Sequence, residues 1–230
     1  MQLPDQVPVM TLSSATLFPQ ALLPLYIFEP RYRRMLSDAL RADRVFSVAM
    51  QKPGRSRETP CEVAGLGLIR ASLDHRDGTA HLILQGLTRV RLMKPVQYKP
   101  YRIHSIQVLR TPLTSSVTLD ALTAKVLELV RQRLELGPFP CPCSLGKNPG
   151  SSQVTSGERA ASPASVKEIL KYLERLPDAE QLADLVAYAL LPDPLQRQTL
   201  LEAVDLELRL RHLIHFLMAE IRRQQKNHPA

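Results

Sequence analysis

Cys141 and Cys143 stand one residue apart, and Cys61 is the third and last cysteine of the 230-residue chain. Thiolates are soft metal ligands, but a structural zinc needs four ligands, usually as two close pairs. Three cysteines at this spacing fall short, so no metal is expected. They also cannot all pair within one chain, and two sit too close for an easy mutual bridge. A disulfide scaffold is therefore not expected, and a reducing compartment is. His212 and His215 lie three apart and share a helical face, with Glu220 further along the same run. No H-E-x-x-H accompanies them, and an ordinary helix face accounts for the pair. Gly65-Leu66-Gly67 is followed by Arg70 where a dinucleotide fingerprint needs its third glycine, and it lies inside a strand-like segment. Gly146-Lys147-Asn148 approaches a phosphate loop but lacks the first glycine and the hydroxyl that holds magnesium. No G-x-S-x-G elbow is present. These residues assemble no reaction centre, so no catalysis and no cofactor are expected, and what the chain offers is a surface.

The elements that carry such a surface follow from apolar periodicity. In residues 79–93, Ala80, Leu82, Leu84, Val90 and Leu92 share one parity, while His81, Gln85, Arg89 and Arg91 share the other. That alternation predicts a strand with one buried face. Gly86 interrupts it and predicts a bulge or bend. Asp77-Gly78 predicts a two-residue hairpin turn back to a partner strand at Glu62–Leu73. Further strands are expected at Val7–Leu12, Leu22–Ile27, Val45–Met50 and Tyr101–Leu109. One helix interrupts them: Pro30 suits a first helical position, Glu29 before it can serve the open amides, and Tyr32, Met35, Leu36, Ala39 and Leu40 form an apolar stripe. Arg34 and Asp38 are spaced as an i,i+4 pair.

The second half changes period. A helix is expected at Thr118–Leu136, with Leu122, Val126, Leu129 and Leu134 inward. A second follows a Ser162-Pro163 start, with Val166, Ile169, Leu170 and Leu173 apolar. A third follows Asp178, with Gln181 in capping-box position and Leu182, Leu185, Val186 and Ala189 inward. A last helix starts at Asp193-Pro194 and runs toward Arg223, with Leu206, Leu210, Leu213, Leu217 and Ile221 on one stripe. At 1.5 Å per residue its roughly 30 residues would reach about 45 Å. Gly137–Ala161 is rich in proline, glycine and serine and has no apolar period, so it reads as a flexible loop. The expected division is a β-rich part at 1–113 and a helical part at 114–230, an α+β fold.

Composition agrees with a packed protein: 44% of residues are hydrophobic and 23% charged. No stretch approaches the roughly 20 apolar residues of a membrane span; Leu17–Ile27 is broken by Pro19, Gln20 and Pro24. The start lacks the basic and apolar run of a signal peptide, which makes the cytoplasm the expected location. The net charge of +8 lies wholly in residues 1–113, with 16 Lys and Arg against 8 Asp and Glu. A basic face of that kind suits solubility or an acidic or nucleic-acid partner.

The run Leu17-Phe18-Pro19…Leu22-Leu23-Pro24-Leu25…Ile27-Phe28-Glu29-Pro30-Arg31-Tyr32 resembles the opening signature of the Lon protease amino-terminal domain family. Glu62-Val63-Ala64-Gly65 resembles a strand of that family with Ala64 inserted, and Asp77-Gly78…Gly86-Leu87-Thr88-Arg89-Val90 resembles its hairpin. Asp178…Gln181-Leu182-Ala183-Asp184 and Leu201-Glu202…Arg209-Leu210…Glu220-Ile221 are similar to its helical half. The resemblance implies a PUA-like β pseudo-barrel followed by a helical bundle, in a form without the ATPase and protease modules. It implies recognition of unfolded or client polypeptides, alone or as an adaptor to a separate ATP-dependent protease. A groove behind the β half, or a strand added to a sheet edge, would serve. Phe18, Leu23, Tyr26, Phe28 and Met50 are the expected protein-binding residues. Glu29, Pro30, Arg31 and Tyr32 are expected to be structural: a cap, a first turn, a brace and a packed ring. The alternative is RNA binding, for which PUA-like folds offer precedent, through Arg89, Arg91, Lys94, Lys99 and Arg102 with Tyr98 and Tyr101 as stacking partners.

Overall fold

The computed structural model describes residues 3–55, 57–112, 117–137, 163–176 and 178–227. Cys141, Cys143, the Ser162 cap, the side chain of Val166 and nearly all of the expected loop lie outside them. The chain divides into two compact units, Met1–Arg110 and Thr111–Ala230.

The first unit is built from strands β1 (Gln6–Leu12), β2 (Leu22–Ile27), β3 (Val45–Met50), β4 (Val63–Asp74), β5 (Ala80–Gln97) and β6 (Arg102–Leu109), with helix α1 (Pro30–Arg41) between β2 and β3. The sheet order is β2-β5-β4-β3-β1-β6, and β6 returns to pair with β5, closing a barrel. Among the described residues only β1 and β3 run parallel, joined by the β2–α1 crossover; the other pairings are antiparallel. β5 makes closure possible because it is 18 residues long. Its first part, Ala80–Gln85, pairs with β2, and its later part, from Arg89 onward, pairs with β6.

Both faces of β3 are buried, as its nearly unbroken apolar run requires. Phe46 and Val48 join a core with Met10, Leu84 and the α1 stripe of Tyr32, Met35, Leu36 and Ala39. Val45 and Ala49 join a second core with Val7, Val9, Leu66 and Val90. The connection Leu17–Pro19 crosses β4 and β5 closely enough that glycine is required on both. A side-chain carbon on Gly65 would overlap the Leu17 carbonyl, and one on Gly86 would overlap that of Phe18. Gly65-Leu66-Gly67 is thus a packing device. Leu66 pairs with Thr88 and Gly67 with Gly86, so Leu87 is the extra residue of a bulge.

The hairpin between β4 and β5 is present, but its turn is longer than the predicted two residues. His75 N–H donates to the Thr79 carbonyl at 2.8 Å and Gly78 N–H to the His75 carbonyl at 2.9 Å, leaving Arg76-Asp77-Gly78 as the loop. Asp77 Oδ1 accepts from both the amide and the hydroxyl of Thr79, which favours the wider turn.

The second unit holds α2 (Val117–Glu135), α3 (Pro163–Glu174), α4 (Ala179–Leu190), α5 (Pro194–Glu202) and α6 (Leu206–Asn227). α6 packs against α2, α4 and α5. Its predicted stripe, Leu206 to Ile221, is buried. Ile169, by contrast, is 38% exposed, and α4 buries Ala183, Asp184 and Ala187 in place of Leu185 and Ala189. Asp178 caps α4 through the Glu180 amide. The single last helix does not form: α5 ends at Glu202 and α6 begins at Leu206. Asp205 starts the new helix by accepting from the Leu208 amide at 2.8 Å. The guanidinium of Arg209 reaches back to the Ala203 and Val204 carbonyls at 2.8 and 3.1 Å, which satisfies the freed end of α5. Arg209 is 1% exposed and also pairs with Asp184 at 3.3 Å and Glu180 at 3.1 Å. A second buried pair joins α2 to α6, Arg133 to Glu220 at 3.9 Å.

Candidate functional site

The outward parity of β2, β5 and β4 holds more apolar surface than a solvated sheet face needs. The registers place Tyr26 beside His81 and Pro24 beside Ile83, then His81 beside Leu73 and Ile83 beside Ala71. Paired residues point to the same side, so two rows cross three strands: Tyr26–His81–Leu73 and Pro24–Ile83–Ala71. Tyr26 is 41% exposed, Phe28 54% and Leu73 65%, with Ile83 and Leu22 also exposed. The rings form a chain: Phe28 to Tyr26 with centroids 5.8 Å apart, Tyr26 to His81 at 4.7 Å and His81 to His75 at 4.9 Å. His75 Nε2 and His81 Nδ1 are 2.6 Å apart, so one imidazole donates and the other accepts. Among the described residues, no strand pairs with the far side of β2. Pro24 lacks an N–H and limits pairing along that edge.

Directly after this face, Glu29-Pro30-Arg31-Tyr32 turns the chain into α1. Pro30 occupies the first turn, and the Glu29 carbonyl accepts from the amides of Tyr32 and Arg33. The Glu29 carboxylate makes no cap hydrogen bond. It accepts from Arg31 Nε at 2.8 Å, a charge pair that competes for the oxygens the open amides would use. Arg31 Nη1 donates to Glu58 Oε2 at 2.5 Å, and its guanidinium lies 4.4 Å from the centre of the Tyr32 ring. Burial works against the Arg31 charge, but the hydrogen bond to Glu58, then Tyr32 and Glu29, outweigh it and raise its pKa above the ordinary value. The Tyr32 hydroxyl accepts from the Thr11 amide at 3.1 Å and lies 3.2 Å from the Thr11 carbonyl. Burial, with the Glu58 charge, pushes its pKa up to about 12 even though the Thr11 hydrogen bond pulls the other way. Glu58 also accepts, through its backbone carbonyl, from Arg102 Nη2 at 2.5 Å. It thereby ties the 51–62 segment to α1 and β6. No motif drew attention to Glu58, which lies in a loop with no periodic signal.

A barrel closed by one long strand and interrupted by a single helix, followed by a bundle, is the architecture to match. The model of the ATP-dependent protease La (LON) substrate-binding domain matches residues 6–219. The chain belongs to the LON substrate-binding domain family. It is 24% identical over 223 residues to a Lon protease of Dictyoglomus thermophilum, covering 95% of this chain and 25% of that protein. It is 26% identical over 220 residues to Lon protease 2 of Herpetosiphon aurantiacus, covering 94% and 24%. This chain thus spans about a quarter of the length of these curated relatives, the substrate-binding module rather than the protease or ATPase modules. Two solved structures share the fold. The N-terminal domain of a Mycobacterium avium complex Lon protease superposes with a TM-score of 0.68 at 19% identity, covering 93% of this chain and 98% of that one. The Lon N-terminal domain protein from Xanthomonas campestris gives 0.57 at 21% identity, covering 92% and 98%.

This LON domain exposes only part of the predicted protein-binding set. Tyr26 and Phe28 stand on the outer face, and Leu23 is half-buried against the core. Phe18 and Met50 are corrections: both are buried, Phe18 in the connection that crosses Gly86 and Met50 at the end of β3. Neither can meet a ligand on this surface. The sequence reasoning missed Leu22, Leu73, Ile83 and the His75–His81 pair; the alternation of β5 placed His81 outward, and β2 and β4 supply the rest. In the basic set, Arg91, Lys94 and Lys99 are exposed and Arg102 is half-buried over the Tyr98 ring at 5.5 Å. Arg89 is a correction at 2% exposure. It pairs with Gly65 beneath the Leu17–Pro19 connection, 6.0 Å from the centre of the Phe18 ring. Tyr101 is buried too, its hydroxyl donating to Asp38 Oδ2 at 2.9 Å, so it offers no stacking face. His212 and His215 flank Phe216 on α6, and Glu220 is engaged by Arg223 and Gln224. Among the described residues no three metal-ligating side chains converge, and no helix is long and apolar enough to cross a membrane.

Proposed function

We propose that this LON domain is a non-catalytic module that captures apolar segments of unfolded or client polypeptides on the outer face of β2, β5 and β4, for delivery to ATP-dependent proteolysis. The observation that carries this is the exposed pair of rows, Tyr26–His81–Leu73 and Pro24–Ile83–Ala71, with Phe28 and Leu22 at their margin. A continuous apolar patch on a folded domain marks a contact surface. Unfolded chains offer what complements it: alternating apolar side chains on an extended backbone. Three strands at about 4.8 Å spacing give the face a width suited to one extended segment. Such a shallow face tolerates many sequences and holds each weakly, which suits a receptor that handles varied clients. An adaptor role beside a separate protease, in the cytoplasm, is consistent with the family's substrate-binding module.

The experiment is binding of a permanently denatured model protein, compared with its folded form and with an unrelated basic protein of similar size in place of this one. The expected result is selective capture of the denatured form by this domain. Equal capture by the unrelated basic protein would reduce the interaction to charge and overturn the reading.

A further inference from the structure

A second recognition feature lies on the other side of the β4–β5 hairpin. Between the hairpin and α1 runs an open cleft of about 440 Å³, within the size range of ligand sites. Its apolar floor is Leu36, Leu40 and Ala80. Along one wall stand Arg33, Ser37 and Arg41, spaced four apart on α1 and therefore on one stripe. The opposing wall is Asp74 and Gly78. The Arg33 guanidinium reaches across the cleft and rests on Gly78, where a side-chain carbon would collide with it. Arg33 and Arg41 are both exposed. Neither makes an ion pair or hydrogen bond with a described residue, unlike Arg31 and Arg34 on the same helix.

We propose that this cleft binds an extended acidic peptide of pattern acid–x–apolar–x–acid. Eight helical steps separate the two guanidinium-bearing positions by about 12 Å. Two side chains four apart on an extended chain are separated by about 13 Å. Carboxylates at those two positions reach Arg33 and Arg41 together, and the apolar side chain midway points to the same side, onto Leu36, Leu40 and Ala80. Asp74 selects between kinds of anion. It lines the cleft, where it can accept from a peptide amide but repels a phosphate, so a strand with a phosphate at every nucleotide fits poorly. The net positive charge of the first half of the chain adds long-range attraction for an acidic segment. The proposal rests on the polypeptide-binding reading in taking a peptide as ligand, but uses a different face and different residues.

The test is fluorescence anisotropy with the whole protein and a labelled, end-blocked peptide containing Asp-Thr-Leu-Thr-Asp. The controls are the Asn-Thr-Leu-Thr-Asn and Asp-Thr-Ser-Thr-Asp versions and an oligothymidylate. The acidic apolar peptide should bind at least tenfold tighter than either peptide control. Arg33→Glu and Arg41→Glu should each weaken it about tenfold, whereas Arg131→Glu, the same charge change on α2, should not. The double variant R33E/R41E should bind Lys-Thr-Leu-Thr-Lys in its place, which separates charge reading from misfolding. Equal losses from all three single variants, no preference over the neutral peptide, or tighter cleft-dependent binding of the oligonucleotide would each overturn the proposal. Tyr26→Ser/Phe28→Ser should leave the acidic peptide unaffected. If a denatured client still binds through that outer face while the acidic peptide shows no preference, the cleft inference falls and the outer-face reading stands.

Discussion

Replacing Tyr26 and Phe28 together by serine should weaken binding of a denatured client about thirtyfold while leaving the domain folded. The two rings are 41% and 54% exposed. A fully buried aromatic side chain covers roughly 150–250 Å², so about 80–100 Å² of each ring remains for a ligand to cover. At about 25 cal/mol per Å² that is roughly 2 kcal/mol per ring if coverage is complete. Incomplete coverage and side-chain ordering on binding reduce the pair to about 2 kcal/mol, a factor of about thirty. The cost to folding should stay near 1 kcal/mol, because neither ring belongs to either hydrophobic core. The assay is titration of a fluorescent denatured protein, with urea unfolding of each variant alongside. Met93→Ser/Val96→Ser removes comparable exposed apolar surface from the far end of β5, at 48% and 53% exposure, and is the matched control. A folded Tyr26/Phe28 variant that binds within threefold of the parent, or a control that loses as much, refutes the assignment of this face.

Three further outcomes test the framework beneath it. Gly86→Ala forces a side-chain carbon into the Phe18 carbonyl and should cost about 1–3 kcal/mol in urea unfolding; an unchanged midpoint would mean the Leu17–Pro19 connection does not press on β5. Arg209→Met leaves Asp184, 1% exposed, without its guanidinium partner and should cost about 3–5 kcal/mol. Adding Asp184→Asn should recover part of that, measurable as coupling in a double-mutant cycle. His104 is held below the ordinary histidine value of 6.5 by burial, despite its hydrogen bond to the Met93 carbonyl. As pH falls through about 6.5 the unfolded chain takes up this proton and the native protein does not, so stability is full above that pH and declines toward pH 5. His104→Asn should flatten that decline in pH-dependent melting, and an unaltered slope would remove His104 as its source.

Strand positions were legible because a period of two survives in single sequences: β2 and β3 lie where alternation and apolar runs placed them. Other features depended on distant neighbours. Arg89 occupies the polar parity of β5, and nothing local announces that the Leu17–Pro19 connection covers it. Phe18 lies in a connection and Met50 at the end of β3, both apolar positions equally suited to core or surface. The break between α5 and α6 hides inside an unbroken helical period. Asp205 is a cap signal only once Arg209 is known to satisfy the carbonyls it frees. Of the candidate site, Tyr26 and Phe28 could be named from the chain, but the rows they belong to need the register that joins β2, β5 and β4.

Amide hydrogen exchange of the protein saturated with a denatured client is the most direct test of the claim that an apolar strand-built face receives polypeptide. Exchange should slow along Leu22–Ile27 and along the stretch of β5 from Ala80 to Gln85 that pairs with it. Unchanged exchange there, or slowing confined to α2 through α6, would contradict it.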